Sequence, residues 1–233
     1  MVLRRDMDPR NFLLNKDRTG ILGMLSRMEK AVEKMVGMAV SALETCDQDM
    51  ARQVVDGDET VDEYEIEIEQ ECLRIIAVRQ PVREELRFYF SVLKIITDLE
   101  RMADEACNIA KHITECGSEL LPVPSAEIRK MASLSMGMLR DGLKSFEESD
   151  PELAKRVFLE DDEIDALFEH IGGDLLTVVG SGKPGDAEVP RRAVLLQLVA
   201  RHLERIGDHA ANISERSFYM STGKRIKKEL PMR

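Results

Sequence analysis

The chain has 233 residues, room for one or two domains with a genuine core. Aromatic residues make up only 4%, with no Trp, while Met reaches 13, which excludes an all-β domain and favours helices built on Leu, Met, Ala and Ile. Forty-four acids outnumber 33 bases for a net charge of −11, which argues against nucleic acid or an anionic lipid surface as an electrostatic partner.

The stretch Met1–Asp17 carries Arg4, Arg5, Asp6, Asp8 and Arg10, has no apolar signal core, and is expected to be a tail. A first helix is expected over 18–45. Met24, Met28, Met35 and Met38 recur in it at helical spacing, as core-filling residues do. Asp47 is an N-cap for a second helix over 48–79. The third helix, over 83–115, carries a stripe of Leu86, Leu93, Ile96, Leu99, Ala103, Ala106, Ala110 and Ile113 at three- and four-residue intervals. Pro122 and Pro124 mark a joint over 117–124.

Beyond the joint the pattern resumes. A fourth helix is expected over 125–148, with Met131, Met136 and Met138 in its core face. Asp150-Pro151, an N-cap followed by Pro at the first helical position, opens a fifth over 151–179. Gly180-Ser181-Gly182-Lys183 is followed by Pro184 and lacks the spacing of a phosphate loop, so it reads as a connection. The sixth helix, over 190–222, repeats the apolar stripe with Leu195, Leu198, Val199, Leu203, Ile206, Ala210 and Ile213. Residues 224–233 read as a C-terminal tail. No apolar run approaches the roughly 18 residues of a membrane-spanning helix. The cysteines Cys46, Cys72, Cys107 and Cys116 form no CxxC, so a reduced, cytoplasmic location is expected.

The two halves are copies of one unit. Shifted by 103, Asp47, Ala51, Val54, Asp58, Asp62 and Ile68 fall on Asp150, Ala154, Val157, Asp161, Asp165 and Ile171. Shifted by 104, the run Leu99–Ile109 falls on Leu203–Ile213 with seven of eleven positions identical. The expected fold is therefore all-α: two tandem three-helix bundles, six helices in all, related by a pseudo-twofold repeat.

Polar residues recur as well as apolar ones. Asp58 and Asp62, Glu100 and Asp104, Asp161 and Asp165, and Glu204 and Asp208 are each spaced i, i+4, which sets both carboxylates on one helix face. Asn108 and Asn212 extend the third-helix stripes by one turn. Chance alone supplies roughly eight such acidic pairs in a chain this acidic, so one pair carries no information. Four pairs on matching helices of both copies carry more. Like charges at this spacing cost roughly 0.2–0.5 kcal/mol per pair, and an oxygen-seeking cation reverses the sign. The alternative is a solvated acidic face, with Arg101 and Arg205 as its counterions. His209 directly follows Asp208 and so points about 100° away from it, as a hydrogen-bonding or surface residue rather than a ligand.

These residues resemble the PhoU family. The stretch Arg79-Gln80-Pro81-Val82-Arg83-Glu84-Glu85-Leu86-Arg87, with Leu93-Lys94-Ile95-Ile96 and Leu99-Glu100-Arg101-Met102-Ala103-Asp104, is similar to its first repeat. The run Leu203-Glu204-Arg205-Ile206-Gly207-Asp208-His209-Ala210-Ala211-Asn212-Ile213-Ser214-Glu215, ending in Tyr219 and Ser221-Thr222-Gly223, is similar to its second. The resemblance implies repeats over 18–116 and 125–223. It implies a negative regulator of phosphate uptake and phosphate-starvation signalling, acting between an ABC phosphate transporter ATPase and a sensor histidine kinase, as a homodimer. It also implies metal at the E(D)xxxD motifs, iron first, then zinc, with manganese and magnesium compatible. The sequence departs from the family pattern at Ala103 and Met102, where LERIGD has Gly and Ile, and at Glu105, where the second copy has His209.

Catalytic signals are thin. There is no GxGxxG or GxxxxGK[ST], no Cys–His set, and no Glu three residues before any His, as a di-iron oxidase requires. A non-enzymatic adaptor is expected; the other reading is a metal-dependent phosphatase or metal store built on the same carboxylates.

Overall fold

The computed structural model describes residues 9–116, 126–181, 187–226 and 229. The elements are α1 (Pro9–Thr45), α2 (Gln48–Asp56), α3 (Asp58–Arg79), α4 (Glu84–Cys116), α5 (Ala126–Glu148), α6 (Pro151–Ser181) and α7 (Glu188–Thr222). Helices α1, α2–α3 and α4 pack together as one three-helix bundle, and α5, α6 and α7 as the second. The bundles meet along α4 and α7, with a smaller contact between α1 and α5. The fold is the expected all-α pair of bundles.

Two differences stand in the first bundle. Helix α1 starts at Pro9 rather than 18, so part of the expected tail is helical. Leu14 is buried, and Asp17 is held by Arg79 of α3 at 2.9 Å, which fastens this extra length to the bundle. The second helix is interrupted at Gly57. The N–H of Gly57 donates to both Gln53 and Val54, and its carbonyl accepts from Thr60, a tightened turn within the helix. The equivalent of Gly57 in the second copy is Glu160, inside the unbroken α6. The expected joint over 117–124 lies outside the described residues. Of the expected C-terminal tail, Ile226 is buried against Ala154 and Phe218.

The caps are as the sequence implied. Asp47 accepts from the N–H groups of Asp49 and Met50, and Asp150 from those of Glu152 and Leu153. Each is preceded by a residue in left-handed conformation, Cys46 and Ser149, both at φ 56°. One hydrophobic core runs through both bundles. Met28, Met35, Met131, Met136 and Met138 are buried in it, and Met24 and Met38 pack against it, so the methionines fill core. Leu86 and Leu198, assigned to the buried stripes, are exposed instead. Phe88 of α4 stacks on Phe146 of α5 at 5.2 Å, an aromatic contact between the repeats.

Packing of the last two helices of each bundle positions the acidic faces. A Cβ on Gly207 would lie 2.5 Å from Cδ1 of Ile164, so α6 and α7 approach as closely as they do because this residue is glycine. The first copy has Ala103 in place of Gly207 and Val61 in place of Ile164, all of them buried. A methyl added on one helix is removed from the other.

Candidate functional site

The carboxylates named from the sequence gather into two clusters, one per repeat. In the first, Asp58 of α3 lies among Asp62 and Asp104, and Glu100 of α4 among Asp104, Glu65 and Asp62. In the second, Asp161 of α6 lies among Asp208, Asp165, Asp162 and Glu204. Each cluster has an inner layer and an outer one. Asp58, Glu100, Asp161 and Glu204 are partly buried, whereas Asp62, Asp165 and Asp208 face solvent. The i, i+4 spacing explains this, because one turn along each helix leads outward from the groove between the two helices.

Burial, followed by the neighbouring carboxylates, pushes the inner groups up. Glu100 rises to about 7 and Asp161 to about 6. Asp58 and Glu204 are raised for the same first reason, and so, in the outer layer, is Asp165. These are sites where negative charge lacks compensation. Cations nearby answer only part of it. Arg101 sits 3.4 Å from Glu100 and 3.7 Å from Asp104, and Arg201 sits 3.0 Å from Glu204. Arg205, expected to share this role, instead reaches Glu105 at 2.9 Å.

Two buried carboxylate oxygens in the second cluster, Asp161 Oδ1 and Glu204 Oε2, have no hydrogen-bond partner. An unsatisfied buried carboxylate oxygen is costly, and a cation, like an ordered water, satisfies it. The donor set is all oxygen, which fits a hard or borderline cation such as Mg²⁺, Mn²⁺ or iron. Among the described residues, no group of three or more His, Cys, Asp or Glu side chains converges closely enough as it stands to hold a metal ion. The first cluster has a thiol beside it: Cys107 lies close to Asp58 and donates to the Val54 carbonyl at 3.7 Å. Cys107 is buried, and its thiol is pushed up to about 12, so it acts as a donor rather than a thiolate. Glu65 and Cys107 were missed in the sequence. Glu65 sits one turn from Asp62, a signal that was available, but Cys107 has no counterpart in the repeat.

One asparagine is placed differently from the expectation. Asn212 donates to Asp98 Oδ1 at 3.3 Å, which draws it to the junction between α4 and α7 rather than to its carboxylate cluster. That junction holds two histidine–carboxylate hydrogen bonds. His209 Nδ1 is 3.0 Å from Asp98, and His202 Nδ1 is 2.6 Å from Glu105. Position 98 plus 104 is 202, and 105 plus 104 is 209. The pseudo-twofold thus crosses equivalent positions over, and in both pairs the first repeat supplies the acid and the second the histidine. His209 is a hydrogen-bonding residue of this seam. Glu105, buried on α4, is held charged by His202 and Arg205, which overcome the effect of burial and leave its carboxyl below the usual range.

This geometry defines a class: a tandem helical-bundle protein with an acidic cluster on each copy and a charged junction between copies. The family model of the PhoU domain matches the chain twice, over residues 25–113 and 128–217, so the chain belongs to the PhoU family. The "Phosphate-specific transport system accessory protein PhoU homolog" of Clostridium acetobutylicum is 36% identical over 203 residues, spanning 87% of this chain and 91% of that protein. Its namesake from Aquifex aeolicus is 37% identical over 201 residues, spanning 86% and 89%. The crystal structure of PhoU from Pseudomonas aeruginosa superposes with a TM-score of 0.82 at 33% identity, covering 90% of this chain and 99% of that one. The phosphate transport system regulatory protein PhoU from Streptococcus pneumoniae gives 0.79 at 27% identity, covering 93% and 98%. Among the described residues no helix is long and apolar enough to cross a membrane.

Proposed function

We propose that this chain is a regulatory accessory protein of a phosphate-specific transport system, acting in the cytoplasm as a non-enzymatic metal-binding adaptor. Relatives matched over 86–87% of the chain are named accessory proteins of a phosphate-specific transport system, which supports the transport-linked part of this reading. Its negative regulation of uptake and starvation signalling runs through contact with the transporter ATPase and a sensor histidine kinase, and it works as a homodimer. The observation that carries the metal part is the pair of orphaned carboxylate oxygens on Asp161 and Glu204. Asp58, Asp62, Glu100 and Asp104 hold metal in the first repeat, and Asp161, Asp165, Glu204 and Asp208 in the second. Iron is the first choice, and zinc the next. The bound cation supplies positive charge that offsets the packed carboxylates and orders the two acidic faces.

Deletion in the native host tests the regulatory role. Phosphate-starvation genes should be expressed constitutively, and a reporter that stays repressed in high phosphate rejects it. Co-purification in high and low phosphate, with metals and partners measured together, tests the adaptor. Metal stripped by EDTA should lower the melting temperature, because metal binds the folded state alone. An unchanged melting curve for protein purified with its metal rejects the shared sites. Mg²⁺- or Mn²⁺-dependent phosphatase turnover abolished by Asp104→Ala and Asp208→Ala would replace the adaptor with an enzyme.

A further inference from the structure

One pair of side chains at the junction of the repeats belongs to neither carboxylate cluster. His112 of α4 and His202 of α7 face each other with their Nε2 atoms 3.2 Å apart, ring centroids 5.2 Å apart and rings tilted by 33°. The opposite nitrogen of His202, Nδ1, is bonded to Glu105 at 2.6 Å. That carboxylate holds the proton on Nδ1 and leaves the Nε2 lone pair directed at His112. The second oxygen of Glu105 is held by Arg205 at 2.9 Å, so the carboxylate is fixed at both ends. Burial, and then the neighbouring His202, push His112 below the usual histidine range, which favours its neutral, ligating form.

Two imidazole nitrogens bonded at ~2.0–2.1 Å to a tetrahedral ion stand about 3.3 Å apart. The observed 3.2 Å matches that bite. A carboxylate behind a ligating imidazole is also the usual outer shell of a histidine metal site. We propose that His112 and His202 form a two-imidazole site for a zinc-class divalent transition cation, spanning the two repeats, with Glu105 as its positioning residue. Two protein ligands leave coordination positions open, so the ion is exchangeable and less tightly held than in a closed four-ligand site. The nitrogen donors select a softer ion than the carboxylate clusters do. Bound there, the ion clips α4 to α7 and so the first repeat to the second. The site occurs once per chain, because the repeat equivalent of His112 is Arg216, which cannot ligate.

Copper(II) is the probe, added at one equivalent to the full metal-free chain and read by electron paramagnetic resonance. The expected spectrum carries nitrogen splitting from two imidazoles and is bleached by excess Zn²⁺. His112→Gln, checked for folding by circular dichroism, should remove that splitting and weaken Cu²⁺ binding at least tenfold. Asp104→Asn with Asp208→Asn should keep the splitting, which separates this site from the carboxylate clusters and from the outcome of their own test. Glu105→Gln should keep both nitrogens while weakening affinity ~10–100-fold. An oxygen-only spectrum for the unaltered chain means that the pair is a simple N–H···N hydrogen bond and overturns the site. Full nitrogen splitting with unchanged affinity in His112→Gln overturns it as well.

Discussion

The two repeats carry the same four carboxylates on the same two helix faces, yet they treat the inner pair differently. In the first, the Cys107 thiol lies beside Asp58 and donates to the Val54 carbonyl, and Arg101 bridges Glu100 and Asp104. In the second, Ala211 replaces Cys107, and Asp161 Oδ1 is left buried without a partner. Arg205, the equivalent of Arg101, has turned away to Glu105, and Arg201 stands by Glu204 from one turn earlier. The position equivalent to Arg201 is Thr97, which donates to Glu65 instead. Duplication supplied two identical acidic frames, and the neighbours set how much charge each leaves uncompensated. Among the described residues, the unpartnered buried carboxylate oxygens of the two clusters lie in the second, on Asp161 and Glu204, so its stability should depend more on a cation.

The largest expected effect falls on the seam that joins the repeats. Glu105→Ala removes the shared acceptor of His202 and Arg205 and should cost about 3 kcal/mol, as breaking a buried pair does. Asp98→Ala, at the mirrored pair, should cost less, since Asp98 is 15% exposed against 4% for Glu105. Urea unfolding of both variants checks the order, and equal losses would remove the asymmetry. Next comes the packing exchange. Gly207→Ala sets a methyl against Ile164 and should destabilise by about 2 kcal/mol; Ile164→Val in the same chain should recover most of that, copying Val61 with Ala103. Failure of the rescue would mean that the close approach of α6 and α7 has another cause.

Smaller effects sharpen the contrast between clusters. Cys107→Ala, which copies Ala211 of the second repeat, should cost about 1 kcal/mol by removing a buried thiol and its hydrogen bond to the Val54 carbonyl, as measured on metal-free protein. The pH dependence is smaller again and carries a definite sign. Glu100 and Asp161 have folded values of about 7 and about 6, above their ordinary ones, so the folded chain holds more protons than the unfolded. Their contribution is full in acid and is lost as pH rises through about 6 for Asp161 and about 7 for Glu100. The melting temperature of EDTA-treated protein should therefore decline across that window. Asp161→Asn should remove the lower step and Glu100→Gln the upper, and melts across the range would show whether the repeats titrate apart.

Much of this was legible in the sequence because it is local. Helical periodicity, the Asp47 and Asp150 caps and the methionine core follow from spacings of three and four residues, which a helix imposes wherever it sits. The carboxylate faces follow the same way, since i, i+4 pairs share a face before any tertiary contact forms. Other features are set by neighbours distant in sequence. The early part of helix α1 is tied to the bundle at Asp17 by Arg79, 62 residues later. Asn212 leaves the acidic stripe because Asp98, 114 residues earlier, accepts its hydrogen bond.

The seam shows the division most clearly. The sequence contained the exchange of acid for histidine at positions 98 and 202, and at 105 and 209, but it does not say that these residues meet. Periodicity orients a side chain around its own helix axis and carries no information about the helix opposite. By itself the sequence determined a duplicated helical unit with matched acidic faces. Only the packing of α4 against α7 decided which charges cross between the copies, because ion pairs need distances of about 3 Å that the tertiary fold alone sets.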